Sequence, residues 1–274
     1  MPELPEVETV VRGLRAPLLG RTITAATYDY PGGLVTPDGP VFTARITGQR
    51  VEAITRRAKY ILIGLTHDTL IIHLKMTGRL YVVPDAEQTP ADRWVHFMFQ
   101  LDNAHQLRFS DARKFGRVYL VADPLQVTHA LGPEPLEADF TLELFTERLR
   151  HRSGHLKPLL LNQSFVAGIG NIYADEALFD SQLHPLRRAD TLTPADIARL
   201  YAAIRRALLA GIDREGASIN WYRKPDGTPG SAQDSLLAYG RTGEPCSRCG
   251  HPIEKIVVGQ RGTHFCPACQ RQEP

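Results

Sequence analysis

Cys246-Ser247-Arg248-Cys249, followed after sixteen intervening residues by Cys266-Pro267-Ala268-Cys269, decides the fold of the C-terminal end. Two CxxC pairs at this separation suit the knuckles of a β-hairpin zinc ribbon, where four thiolates close a tetrahedron around one metal ion. The alternative is a pair of disulfides, and the rest of the chain argues for a reducing compartment. Met1-Pro2-Glu3-Leu4-Pro5-Glu6 has neither the basic segment nor the apolar run of a signal peptide, and no later apolar run approaches a membrane span. The expectation is one structural Zn2+ on Cys246, Cys249, Cys266 and Cys269, a cytoplasmic location and no membrane partner. With four protein ligands the metal keeps no open position, so its role is to hold structure. Gln260-Arg261-Gly262-Thr263 falls where the hairpin tip would lie, which presents Arg261 outward.

Moving upstream, a polar loop rich in Gly and Pro covers roughly 216–235, and helical texture precedes it. Thr193-Pro194-Ala195-Asp196 reads as an N-cap Thr, a Pro in the first turn and a carboxylate three residues after the cap. Ile197, Leu200, Tyr201, Ile204 and Leu208 then follow one helical face. Gly168-Ile169-Gly170-Asn171 separates two helical segments, as in a helix–turn–helix variant. The Pro-rich Gly132-Pro133-Glu134-Pro135 marks a boundary. From Thr22 to Val121 short apolar, β-branched runs (Tyr60–Leu65, Leu70–Leu74, Arg79–Val83, Val118–Val121) alternate with turn residues, the rhythm of a β-sandwich or barrel. Val7, Val10, Val11 and Leu14 place a helix at the start, closed by Pro17 and Gly20. The expected fold is α+β and multidomain. Residues 1–132 form an N-terminal helix plus β-sandwich, 133–235 a helical module with its loop, and 236–274 the zinc ribbon.

The 274 residues are 43% apolar and 23% charged, a globular composition that excludes the disordered and membrane classes. Lys and Arg number 32 against 30 Asp and Glu, a net charge of +2. Bulk charge therefore makes no case for nucleic acid, and any such case rests on where the charges sit. Three local features bear on this. Arg56, Arg57 and Lys59 cluster at a strand start, which suits phosphate contact. Asn171, flanked by glycine at a helix start, stands where amide donors and the helix dipole favour an anion. Arg148, Arg150 and Arg152 form a basic run. At the other end, a small residue after Met1 favours removal of the initiator Met, which would expose the secondary amine of Pro2. Such an amine attacking a sugar C1′ gives an iminium ion directly, an electron sink for elimination. Glu3 beside it can move protons.

Six blocks resemble the formamidopyrimidine-DNA glycosylases, in that family's order. They are Met1-Pro2-Glu3-Leu4-Pro5-Glu6-Val7-Glu8-Thr9, Arg56-Arg57-Ala58-Lys59-Tyr60, His73-Leu74-Lys75-Met76-Thr77-Gly78, Asp111-Ala112-Arg113-Lys114-Phe115-Gly116, Gly168-Ile169-Gly170-Asn171-Ile172-Tyr173-Ala174-Asp175-Glu176, and the ribbon through Gln260-Arg261. The resemblance implies a helix–two-turn–helix module and a monomer acting on damaged double-stranded DNA. It implies excision of an oxidised purine, 8-oxoguanine or a formamidopyrimidine, then β,δ-elimination, with no catalytic metal or organic cofactor. It makes Pro2 the nucleophile, Glu3 the acid/base, and Lys59 the phosphate contact that assists β-elimination. Arg261 grips the same region and is linked to δ-elimination, and Asn171 holds a phosphate. Met76, Arg113 and Phe115 match the trio that fills the gap left by an extruded base. His96 and Arg152 match further DNA contacts, and Lys157 a lysine on the lesion side. The chain departs from the common pattern at Ala112, where Pro is more usual, at Lys75, where Gly often precedes the wedge Met, and across 217–235. The Leu4-Pro5-Glu6-Val7 opening and the intact trio weigh against the sister type, endonuclease VIII, which prefers oxidised pyrimidines. Pro2-Glu3 weighs against a catalytically silent zinc-ribbon DNA-binding protein.

Overall fold

The computed structural model describes residues 1–85 and 92–272. The chain forms two units, Met1–His129 with Arg214–Ser231, and Ala130–Asp213 with Ala232–Pro274.

The first unit opens with α1 (Leu4–Leu18), whose apolar spacing buries Val7, Val10, Val11, Leu14 and Leu18. Pro17 falls in its last turn and the helix stops one residue later, since the ring removes a backbone donor. Then come β1 (Ile23–Tyr28), β2 (Leu34–Thr36), α2 (Gly39–Ile46), β3 (Val51–Arg57), β4 (Tyr60–Leu65), β5 (Thr69–His73), β6 (Gly78–Pro84), β7 (Val95–Leu101), β8 (His105–Asp111) and β9 (Arg117–Val121). The strands make two sheets, ordered β1-β7-β8-β6 and β2-β9-β5-β4-β3. Only β2–β9 is parallel among these pairs. One core joins the inner faces, with Ile61, Ile63, Leu70 and Ile72 from one sheet and Phe97, Phe99, Leu107 and Phe109 from the other. The sandwich reading thus holds. The helix α3 (Leu125–Thr128) ends this part.

Tyr222 belongs to the same core. Residues 217–231, assigned above to the helical domain, therefore fold with the sandwich. The boundary cannot be seen in the loop's polar composition, because what anchors it, Tyr222 in the core and the Ala217 amide on Glu6, lies against residues far upstream.

The second unit contains α4 (Leu142–Leu149), α5 (Leu156–Leu161), α6 (Asn171–Ser181) and α7 (Pro194–Asp213), then β10 (Glu254–Val258) and β11 (Arg261–Phe265). The start of α7 is as expected: Asp196 N donates to Thr193 Oγ1 at 3.2 Å, and Thr193 N to Asp196 Oδ2 at 3.0 Å. The helix α6 is buried on nearly every face, as expected of a central helix in a helical core. Its Phe179 shares an apolar cluster with Ala238, Cys246, Ile253 and Cys266, so the ribbon packs on the helices within this unit. Among the described residues, no helix is long and apolar enough to cross a membrane.

Candidate active site and nucleic-acid interface

Pro2 is buried and lies one residue before Glu3, the N-cap of α1. Glu6 fixes this end. Its Oε2 accepts from Glu3 N at 2.7 Å and its Oε1 from Ala217 N at 2.8 Å. Gly216 before that amide has φ +82°, and a Cβ there would lie 2.9 Å from Glu6 Cγ, so both conformation and space require glycine. One carboxylate thus ties the N-terminus to the 214–231 segment.

Lys59 occupies the two-residue turn of the β3–β4 hairpin, next to Ala58 at φ +52°. It is only 5% exposed, which its placement at a strand start did not foresee. Of the basic cluster, Arg56 is otherwise engaged. It donates to Glu8 Oε2 at 3.1 Å and to the Ala58 carbonyl at 3.1 Å. Burial raises the Glu8 carboxyl, but the Arg12 and Arg56 guanidinium groups overcome this and hold it below its ordinary range. Arg56 therefore braces the hairpin that carries Lys59.

Met76, Arg113 and Phe115 come from two turns, β5–β6 and β8–β9, and all three are exposed. Asp111 organises both. It accepts from Thr77 Oγ1, from Arg113 N at 3.2 Å, and from Gly116 N at 2.6 Å. Arg113 Nη1 reaches Met76 Sδ at 3.3 Å, and its guanidinium lies 4.6 Å from the Phe115 ring centre. The trio is one preassembled surface group. Asp111 and Thr77 received no role above, although both stand inside the quoted blocks. Only the three-dimensional pairing of the two turns shows their purpose.

The β5 end adds a titratable group. His73 Nδ1 accepts from Lys75 N at 3.0 Å, holding Lys75 at φ +52° just before Met76. Burial first, then the Lys75 and Lys59 charges, lower the His73 pKa to about 3. His96 is 5% exposed. Its Nδ1 pairs with Asp29 Oδ1 at 2.7 Å, while its Nε2 is buried with no hydrogen-bond partner among the described residues.

In the second unit Arg261 is exposed and follows the tight turn Gly259-Gln260, with φ +55° and +62°. Both turn residues having positive φ matches the two-residue hairpin turn that follows strand twist. Arg152 is exposed. Its charge, after burial, lowers the pKa of Arg148, whose Nε donates to the Phe165 carbonyl at 2.9 Å.

Two expectations need correction. Lys157 is 0% exposed and pairs with Asp175, also 0% exposed, so its ammonium is spent inside the protein and is not presented to DNA. Asn171 Nδ2 donates to the Gly262 carbonyl at 2.9 Å, so its amide group is turned to the hairpin. Its Oδ1 is buried without a partner among the described residues. Neither fact can be read from spacing, because the partners lie on elements distant in sequence. The sequence signal for the first is an acidic pair, Asp175-Glu176, within an otherwise apolar helix. Such carboxylates need partners.

The four cysteine sulfurs lie within 4.8 Å of one another, with Cys246–Cys269 at 3.9 Å and Cys249–Cys266 at 3.5 Å. A zinc tetrathiolate with bonds of about 2.3 Å has S–S edges of about 3.8 Å. The donor set fits zinc, which would cross-link the knuckles at Cys246–Cys249 and Cys266–Cys269.

Family models match three consecutive parts: the formamidopyrimidine-DNA glycosylase N-terminal domain over residues 1–118, its H2TH domain over 131–223, and a zinc finger found in FPG and IleRS over 243–272. A formamidopyrimidine-DNA glycosylase of Herpetosiphon aurantiacus is 49% identical, the match covering 98% of this chain and 100% of that protein. The structure of a Lactococcus lactis FPG variant bound to Fapy-dG DNA is similar with a TM-score of 0.92, 37% identity and coverage of 99% and 100%. A MutM structure with DNA containing carbocyclic 8-oxo-G gives 0.91, 38%, and coverage of 99% and 100%. Sequence and fold agree along the whole length, and the chain belongs to the formamidopyrimidine-DNA glycosylase family.

Proposed function

We propose that the protein excises oxidised purines from duplex DNA through a Schiff base on Pro2 and then cleaves the strand by β,δ-elimination. The observation that carries this reading is Pro2 itself, a potential secondary amine placed at the amino end of α1 by the Glu6 carboxylate. The lesion class rests on the two relatives bound to Fapy-dG and 8-oxo-G DNA.

Removal of Met1 exposes the amine. Pro2 N attacks C1′ of the damaged nucleotide, and the base departs with the glycosidic electron pair and a proton. Glu3 protonates O4′, the sugar ring opens, and the nitrogen lone pair completes an iminium ion. A base, water or a carboxylate, takes a C2′ proton, the C–H electron pair flows into this sink, and the resulting enamine expels the 3′ phosphate. A second elimination expels the 5′ phosphate, and water releases the sugar remnant and restores the amine. Lys59, on the β3–β4 turn, and Arg261, the residue after the β10–β11 turn, hold the phosphates. Arg152 adds a backbone contact. The unpartnered His96 Nε2 is the kind of buried atom that a bound ligand completes after a small rearrangement. Met76, Arg113 and Phe115 occupy the space vacated by the base. Zinc holds the ribbon that presents Arg261.

The test is incubation with a duplex carrying one 8-oxoguanine. The expected products are free base and a one-nucleotide gap with phosphate at both ends. Tight binding that leaves the base and both strands intact overturns the reading.

A further inference from the structure

We propose that Lys157 is a positioning residue: its buried pair with Asp175 latches the β10–β11 hairpin onto α6 and so sets where Arg261 stands. The inference rests on the reading of Arg261 as a phosphate-holding group. Lys157 Nζ donates to Asp175 Oδ1 and to the Asn171 carbonyl, the latter at 2.9 Å. The other Asp175 oxygen accepts from His264 N at 2.9 Å. Asn171 Nδ2 donates to the Gly262 carbonyl at 2.9 Å. The side chains at the start of α6 therefore seize β11 at residues 262 and 264, immediately after Arg261. The turn before Arg261 has only two residues, so it contains little chain to absorb a shift. A displacement at 262 or 264 is passed to Arg261.

The neighbouring carboxylate completes the arrangement. Glu176 accepts from the amides of Leu237, Ala238 and Tyr239 at 2.8, 2.9 and 2.8 Å. Adjacent acids on one helix thus grip the segment leading into the ribbon and the strand after its tip. Lys157 is what makes the first grip tenable, because a buried carboxylate without a countercharge is strongly disfavoured. With no exposure, the ammonium affects DNA only through the hairpin.

The experiment uses the full-length, zinc-loaded protein with Lys157→Met, Asp175→Asn, Arg261→Ala and the Lys157→Met/Arg261→Ala double variant. Amide hydrogen exchange and cleavage of a pre-formed abasic site are measured. In Lys157→Met and in Asp175→Asn, exchange at the His264 amide should rise about tenfold or more while α7 amides keep theirs. Both should slow cleavage, and the double variant should be no slower than Arg261→Ala alone, since coupled residues do not add. Losses that multiply in the double variant, or unchanged exchange at His264, overturn the proposal. Should Lys157→Met fail to fold, the isosteric Asp175→Asn carries the exchange test. A silent Arg261→Ala with raised His264 exchange refutes the role given to Arg261 while supporting the latch.

Discussion

Truncating Met76 to alanine should separate recognition from chemistry. Met76 is 40% exposed, and its turn is held by the Thr77–Asp111 and His73–Lys75 bonds, which involve no atom of its side chain. Met76→Ala should therefore leave folding within about 0.5 kcal/mol of the parent, as for most surface changes. Fully burying a methionine contributes roughly 1.5–3 kcal/mol. The remaining exposed two-fifths of Met76, taken out of water on entering the base stack, is then worth about 1 kcal/mol. That corresponds to a loss of about fivefold in the excision rate on a paired duplex. Arg113 also loses its sulfur contact, which adds to the loss rather than opposing it. Cleavage of a pre-formed abasic site requires no damaged base to be extruded, so its rate should stay within about twofold. The assay is single-turnover kinetics at saturating enzyme on both substrates. Equal losses on the two would show that Met76 serves the fold or general binding, and the wedge reasoning would be wrong.

Chelation of the ribbon metal should release one zinc per chain, as four thiolates imply. Affinity for lesion DNA should then drop about tenfold or more as Arg261 loses its platform. Native protein without zinc, and with four titratable thiols, would contradict this. The undamaged-duplex affinity should fall steeply with salt, and Lys59→Ala or Arg261→Ala should each flatten the log–log slope by roughly one unit. An unchanged slope in either variant removes that residue from the phosphate contacts. Acid should weaken the fold through His73. Its folded pKa lies near 3, below the unfolded value of about 6.5. The unfolded chain therefore binds more protons between these limits, and stability falls as pH drops through that window. The His73 contribution to the loss at pH 5 is about 2 kcal/mol. His73→Gln should shrink the fall in denaturant midpoint between pH 7 and 5, and an undiminished fall would refute it.

The sequence announced elements whose cause is local. The capped α7 and the alternating strands need only neighbouring residues. The four cysteines need only their own chemistry and spacing. The folding of 217–231 with the sandwich was hidden, because it depends on Tyr222 reaching a core built from residues far upstream. The site divides in the same way. Met76, Arg113 and Phe115 could be named from their blocks, but Asp111, which joins their two turns, could not. Lys157 was carried over from the family resemblance as a lysine on the lesion side, which says nothing of what its ammonium touches. Its partner Asp175 becomes visible only when α5 and α6 are packed.

The central claim is that Pro2 forms the covalent bond to DNA. Borohydride added during reaction with 8-oxoguanine duplex should reduce the iminium and leave a stable protein–DNA cross-link. Proteolysis and mass spectrometry should place it on the N-terminal peptide, with Met1 absent and Pro2 N carrying the sugar. A cross-link on Lys59 or another internal lysine, with the Pro2 amine unmodified, contradicts the account.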